Sequence, residues 1–110
     1  MYKIRIYMID PDRPGSAQYM FLDRDEIKPQ LYKLVHDGVE DTTELEELFN
    51  RYNQRERLES LKVRSLSVSD IVVFENADGI EEGYICRSIG WKKLSGDILS
   101  KLKLKCTEIR

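Results

Sequence analysis

The chain is poor in the residues that carry most enzyme and metal chemistry. Its 110 residues include one histidine, His36, and two cysteines, Cys86 and Cys106. A zinc site takes four protein ligands, or three plus a water. Two thiols without C-x-x-C spacing and a single imidazole do not assemble one. Both cysteines are expected to stay reduced and to pack as small hydrophobes. No apolar run approaches the ~20 residues of a membrane span. The N-terminal MYKIRIYMID has neither an apolar h-region nor a small-residue cleavage site. A cytoplasmic protein without a membrane partner is therefore expected. A phosphate loop is missing too: Gly79, Gly83 and Gly90 fit neither G-x-x-x-x-G-K-[ST] nor G-x-G-x-x-G, and no cofactor is expected. There is no internal repeat, low-complexity tract or linker, so the length predicts a single domain over 1–110.

What the chain does have is charge, at 35% of residues, against 41% hydrophobic. That balance suits a globular domain and argues against disorder. The formal net charge of −2 is unevenly spread. Residues 1–86 carry 11 basic and 18 acidic side chains, a net of −7, and residues 87–110 carry 7 and 2, a net of +5. The acidic bulk disfavours a nucleic-acid coat, which needs several Lys or Arg to displace counterions. It suits docking on a basic protein surface. The basic end keeps nucleic acid as the alternative partner.

Hydrophobic periodicity predicts the elements. YKIRIYMI at 2–9 alternates as a strand does, and DPDRPG at 10–15 stops it. QYMFL at 18–22 is short and apolar, and DRDEIK at 23–28 predicts a helical turn or two. LYKLVHDGVE at 31–40 predicts a strand ending in a turn at Asp37-Gly38. TTELEELFNRYN at 42–53 is the clearest helix: Thr43 and Glu46 have capping-box spacing, and Leu45, Leu48, Phe49 and Tyr52 form one apolar face. Glu44, Glu47 and Arg51 fall on the opposite, solvated face. RERLESLK at 55–62 either extends that helix or loops. In RSLSVSDIVVF, at 64–74, the serines and Asp70 predict a tight turn, and IVVF predicts a strand buried on both faces. Asp78-Gly79 is a strong hairpin signal, with YICRSI at 84–89 as the return strand, ended by Gly90-Trp91. The tail predicts a short helix capped by Ser95, then an extended end around Leu102, Leu104 and Cys106. The fold class is α+β: a small, largely antiparallel sheet with a central hairpin and two or three short helices.

Candidate chemistry is thin. Ser65, Ser67 or Ser69 would need His36 as base, and nothing resembles G-x-S-x-G; turn and strand serines are the better reading. Ser100-x-x-Lys103 matches S-x-x-K without its companion motifs. Asp10, Asp12, Asp23 and Asp25 lack the twelve-residue calcium loop and read as surface acids. Tyr84 with Arg87, Lys92 and Lys93 weakly suggests a base-stacking sheet, although aromatics at strand spacing are more often core.

SLSVSDIVVF and GYICRSIGWKKL also resemble the YodL-like domain of Firmicutes and their mobile elements. Ser65, Leu66, Ser67, Val68, Ser69, Asp70, Tyr84, Ser88 and Gly90 carry the likeness. Trp91 stands where that family has Phe, and Cys86-Arg87 where it has Val-Asp. Tyr19-Met20-Phe21-Leu22 and Leu48-Phe49-Asn50 fit its upstream outline, while residues 95–110 form a C-terminal extension outside it. The resemblance implies a setting rather than a reaction. Small acidic proteins of mobile elements often bind and block host proteins, anti-restriction and anti-CRISPR inhibitors among them. The expectation is a non-enzymatic protein-binding module for a host protein, using Glu44, Glu47 and Arg51. The alternative is a nucleic-acid-binding regulator using Arg87, Lys92, Lys93, Lys101, Lys103 and Lys105.

Overall fold

The computed structural model describes residues 1–19, 27–54 and 66–107. Strands β1 (Tyr2–Ile9), β2 (Tyr32–Glu40), β3 (Ile71–Glu75), β4 (Glu81–Cys86) and β5 (Trp91–Lys93) form one sheet, and helices α1 (Leu45–Tyr52) and α2 (Gly96–Thr107) flank it. The strand order is β2-β1-β3-β4-β5, and every pairing is antiparallel. The α+β class and the largely antiparallel sheet stand as expected. Among the described residues, no helix is long and apolar enough to cross a membrane.

Strand parity divides the core in two. Tyr7 and Ile9 of β1, Ile71 and Val73 of β3, and Ile85 of β4 lie under Leu99 and Leu102 of α2. Ile4, Ile6 and Met8 of β1, with Val72 and Phe74 of β3, lie under Leu48 and Tyr52 of α1. β3 is thus covered on both faces, which is why its sequence is an unbroken apolar run rather than an alternation. β4 comes close to α2 because residue 83 is glycine: a Cβ there would collide with the Leu99 side chain.

The turn into β3 is built from the serine-rich segment. Asp70 is fully buried, and its Oδ2 accepts the Ser67 backbone N–H at 2.8 Å. Ser69 takes a left-handed conformation, φ 77°. The turn is tied to β4 by Ser69 N–H to Cys86 O at 2.9 Å and Cys86 N–H to Asp70 O at 2.8 Å. The Tyr32 hydroxyl donates to Ser69 O at 2.6 Å, linking it to β2. The β3–β4 hairpin turns at Asp78-Gly79 as expected, with Asn76 Oδ1 accepting from Asp78 N–H at 2.9 Å and Ile80 N–H at 3.0 Å.

Several expectations are corrected. β2 does not turn at Asp37-Gly38 but continues to Glu40, because Asp37 and Gly38 pair with Arg5 and Ile4 of β1. The register along β2 skips Val35: Ile6 faces His36 while Tyr7 faces Leu34. This bulge turns His36, Gly38 and Glu40 toward α1. The return strand β4 runs 81–86 rather than 84–89, since Glu81 and Glu82 pair with Glu75 and Phe74. Trp91 does not end the sheet but opens a fifth strand, Trp91–Lys93, against Tyr84–Cys86. Residues 102–106 are helical in α2, not extended. Its first turn has the expected cap, Ile98 N–H to Ser95 Oγ at 3.3 Å. The expected helical stretches at 23–28 and 55–62 fall largely or wholly outside the described residues, as does most of 18–22.

Replacing Gly83 with Ala should destabilise the domain by about 1–3 kcal/mol, since the new methyl must displace Leu99 in a packed layer. Urea unfolding should report it as a lower midpoint with an unchanged m-value.

Candidate interaction surface

Helix α1 presents Leu48 and Tyr52 to the sheet, with Leu45 and Phe49 half-buried beside them. This is the apolar face its spacing predicted. The capping box is not formed. Glu44 is the N-cap without a side-chain bond, and the nearest equivalent is Thr42 Oγ1 accepting the Glu44 N–H at 3.1 Å.

Where α1 meets the end of β2, a polar chain leads from core to surface. The Tyr52 hydroxyl lies 3.0 Å from His36 Nε2 and donates to Glu40 Oε2 at 3.1 Å. His36 sits above Gly38, where a Cβ would come within 2.7 Å of Nε2; glycine at 38 makes room for the imidazole. Glu40 Oε1 accepts from Arg51 Nη1 at 3.1 Å, which also reaches Asp41 at 2.9 Å, and Arg51 Nη2 reaches Glu47 at 2.6 Å. Arg51 is therefore the hub of three carboxylates rather than a solvated charge. Their hydrogen bonds hold its guanidinium above its usual range, and the Arg51 bond and charge hold the Asp41 carboxyl below its own. Asp41 and Glu47 of this hub are exposed, as are Glu44 and Glu46 at the start of α1. Sequence reasoning named Glu44, Glu47 and Arg51 but missed Glu40, the last residue of β2, and Asp41, which follows it; both reach Arg51 only through the β2 register.

The basic candidates do not converge. Lys93 pairs with Tyr84, on the α1 face, and Lys92 pairs with Ile85, on the α2 face. Lys93 meets Glu82 at 3.8 Å, Lys101 meets Asp97 at 3.2 Å and Lys103 meets Glu81 at 3.4 Å. Lys105 is exposed near the end of α2. Arg87 is half-buried, and its Nη2 is enclosed without a hydrogen-bond acceptor among the described residues. The basic charge of the C-terminal segment is thus divided over two faces of the sheet and partly neutralised.

The remaining candidates have structural surroundings. His36 bonds Tyr52, and the Ser69 hydroxyl donates to Val68 O at 2.6 Å. Ser67 contributes its backbone N–H to the Asp70 turn, while Ser65 lies outside the described residues. Asp10 binds the Asp12 N–H at 3.0 Å and pairs with Arg13 at 3.5 Å. Asp23 and Asp25 lie outside the described residues. Among the described residues no cluster of three metal-ligating side chains occurs. On the α2 face, Arg5 bonds Tyr7, Glu75 and Glu81. Burial opposes its charge, but Tyr7, Glu81 and Glu75 outweigh that and leave it firmly cationic.

The hollows near these elements are shallow. One of about 220 Å³ is lined by Tyr2, Thr43, Phe74, Asn76, Ile80 and Glu82, and another of about 340 Å³ adjoins Met1, Val39 and Ala77. Small-molecule sites are typically enclosed clefts of roughly 300–1,000 Å³, and neither open hollow has that form.

A five-stranded antiparallel sheet between two helices, with charged open surfaces, defines a small α+β domain. The YodL-like domain model matches residues 3–96, and the chain belongs to that family. The match ends where α2 begins. No curated protein and no solved structure matches the chain.

Two outcomes test the polar chain. Tyr52→Phe removes the hydroxyl that bonds both His36 and Glu40 and should cost about 1–2 kcal/mol of stability in urea unfolding. The Asp41 carboxyl should titrate below the usual aspartate range by NMR. Whatever stability that depression contributes is present above the unfolded-state pKa and is lost as pH falls through the folded one. In Arg51→Met the Asp41 midpoint should rise to the ordinary value.

Proposed function

We propose that this YodL-like domain is a non-enzymatic protein-binding module that docks the acidic side of α1 onto a basic surface of a host protein. One observation carries this reading. Asp41 and Glu47 are exposed and bonded to Arg51, and Glu44 and Glu46 are exposed at the start of the same helix. The candidate bases are split between two faces, and several are paired with carboxylates. Long-range attraction depends on charge of one sign being concentrated; three carboxylates share the one Arg51 guanidinium, so this side of α1 keeps a net negative charge. Carboxylates exposed on a short helix also carry the same sign of charge as a nucleic-acid backbone. That supports a nucleic-acid-handling host protein as the partner, in the manner of the anti-CRISPR and anti-restriction inhibitors that the mobile-element setting of the resemblance suggests.

The test is a pull-down from host-cell extract with the full chain, after nuclease treatment, read by mass spectrometry. One protein should be retained by the native chain, and Glu44→Gln/Glu46→Gln/Glu47→Gln should weaken its binding about tenfold or more. Retention unaffected by the triple change would reject the acidic docking face. Loss of every partner on nuclease treatment would instead favour nucleic-acid binding through Arg87, Lys92, Lys93, Lys101, Lys103 and Lys105.

A further inference from the structure

The sheet ends in two open edges, β2 and β5, with no further strand beyond either among the described residues. The hydrogen-bond pattern fixes which backbone groups each edge presents. Asn76 N–H bonds Ile80 O at 3.1 Å, and bonded pairs alternate along an antiparallel ladder. Phe74 and Val72 therefore bond β4, while Glu75, Val73 and Ile71 bond Lys3, Arg5 and Tyr7 of β1. That leaves Tyr2, Ile4 and Ile6 to bond Glu40, Gly38 and His36. Asp37 and Val39, between them, turn their backbone N–H and C=O groups away from the sheet. Both residues are exposed, Val39 at 54%. At the other edge, Arg87 N–H bonds Gly90 O at 3.0 Å and Leu94 N–H bonds Gly83 O at 2.8 Å. Ile85 and Lys92 form the bonded pair between these two, so Trp91 and Lys93 turn their backbone groups outward. Each edge thus presents two outward residues, spaced two apart.

We propose that β2 of one copy pairs antiparallel with β5 of a second copy of this chain. The inference does not depend on the acidic docking face. One antiparallel register bonds both outward residues of each edge: Asp37 opposite Lys93, and Val39 opposite Trp91. A carboxylate then meets an ammonium and a valine meets an aromatic ring, and both kinds of cross-strand pair are stabilising. Gly38 falls opposite Lys92. The faces agree as well. Within one molecule β2 and β5 run in the same direction, so antiparallel pairing turns the second copy over. Asp37 and Val39 lie on the α2 face, beside Arg5 and Lys3, whereas Trp91 and Lys93 lie on the α1 face; turning over brings the two sets to one side. Like edges match less well. Pairing β2 with itself about Asp37 sets two carboxylates opposite, and about Gly38 it gives Asp37 only Val39. Pairing β5 with itself through Trp91 and Lys93 sets Lys92 against Lys92, and like charges directly opposite are destabilising. Lys93 already lies 3.8 Å from Glu82, but both side chains are more than half exposed, and such a pair holds its lysine weakly. Joining unlike edges gives an open row rather than a closed pair. Two bonded pairs make a small contact, so the association is weak.

Sedimentation velocity of the full chain, from micromolar to millimolar concentration, tests the pairing. The mean mass should rise with concentration past that of a dimer, and less so at high salt. Asp37→Lys and Lys93→Asp should each raise the concentration needed about tenfold. An equimolar mixture of these two variants should associate as the native chain does, since each supplies the charge that the other lacks. Val39→Pro should also lose association while keeping its circular dichroism, because the N–H it removes bonds nothing within one copy. A native chain that stays monomeric at millimolar concentration would overturn the proposal. So would association unchanged in both charge variants, or a mixture that stays dissociated. A mass that stops at the dimer would replace the β2–β5 contact with a closed one.

Discussion

Strands β1 and β3 are covered on both faces, and the rest of the molecule is arranged to supply that cover. Ile4, Ile6 and Val72 need α1, while Tyr7, Ile71 and Val73 need α2. A domain of 110 residues has little apolar surface to spare, and Leu48 and Tyr52 of α1 and Leu99 and Leu102 of α2 are buried against the sheet. The chain enters β3 through a turn whose one carboxylate, Asp70, is buried and bonded. Backbone bonds from that turn fasten β4 in register. Burial of a polar group is tolerable only with such partners, so this segment is specified sharply.

The same economy explains the surface. With both helices committed to the sheet, α1 carries its acids outward, and Arg51 gathers three carboxylates, from the end of β2, the residue after it and α1. The bulge at Val35 makes that cluster possible. Without it, His36 and Glu40 would point to the α2 side, and Tyr52 would face a different set of neighbours. A one-residue change of register moves every following side chain to the other face. Here it moves a histidine and a glutamate against the helix that bears the candidate docking acids.

The dipeptide Asp-Gly occurs twice, and its two fates mark the boundary of local reasoning. Asp78-Gly79 turns, because Asn76 two residues earlier offers its side-chain oxygen to two backbone N–H groups nearby in the chain. Asp37-Gly38 stays in a strand, because Arg5 and Ile4 pair with it from more than thirty residues away and the glycine makes room for His36. The stretch WKKL carries almost no strand signal, and three residues of it become β5 only because β4 has an edge to pair with. In the tail, helical and alternating spacings compete over Leu102 to Cys106, and the helix prevails where Leu99 and Leu102 reach the core.

The amino-acid sequence by itself determined the α+β class, the doubly buried β3, the apolar face of α1, the hairpin at Asp78-Gly79 and membership of the YodL-like family. All of these rest on local periodicity, local turn chemistry or short residue patterns. Only the tertiary structure decided the length of β2, the existence of β5, the cluster around Arg51 and the division of the basic residues between two faces. Each of these depends on strand register and on which side of a sheet a side chain falls, and such relations form between residues far apart in the chain.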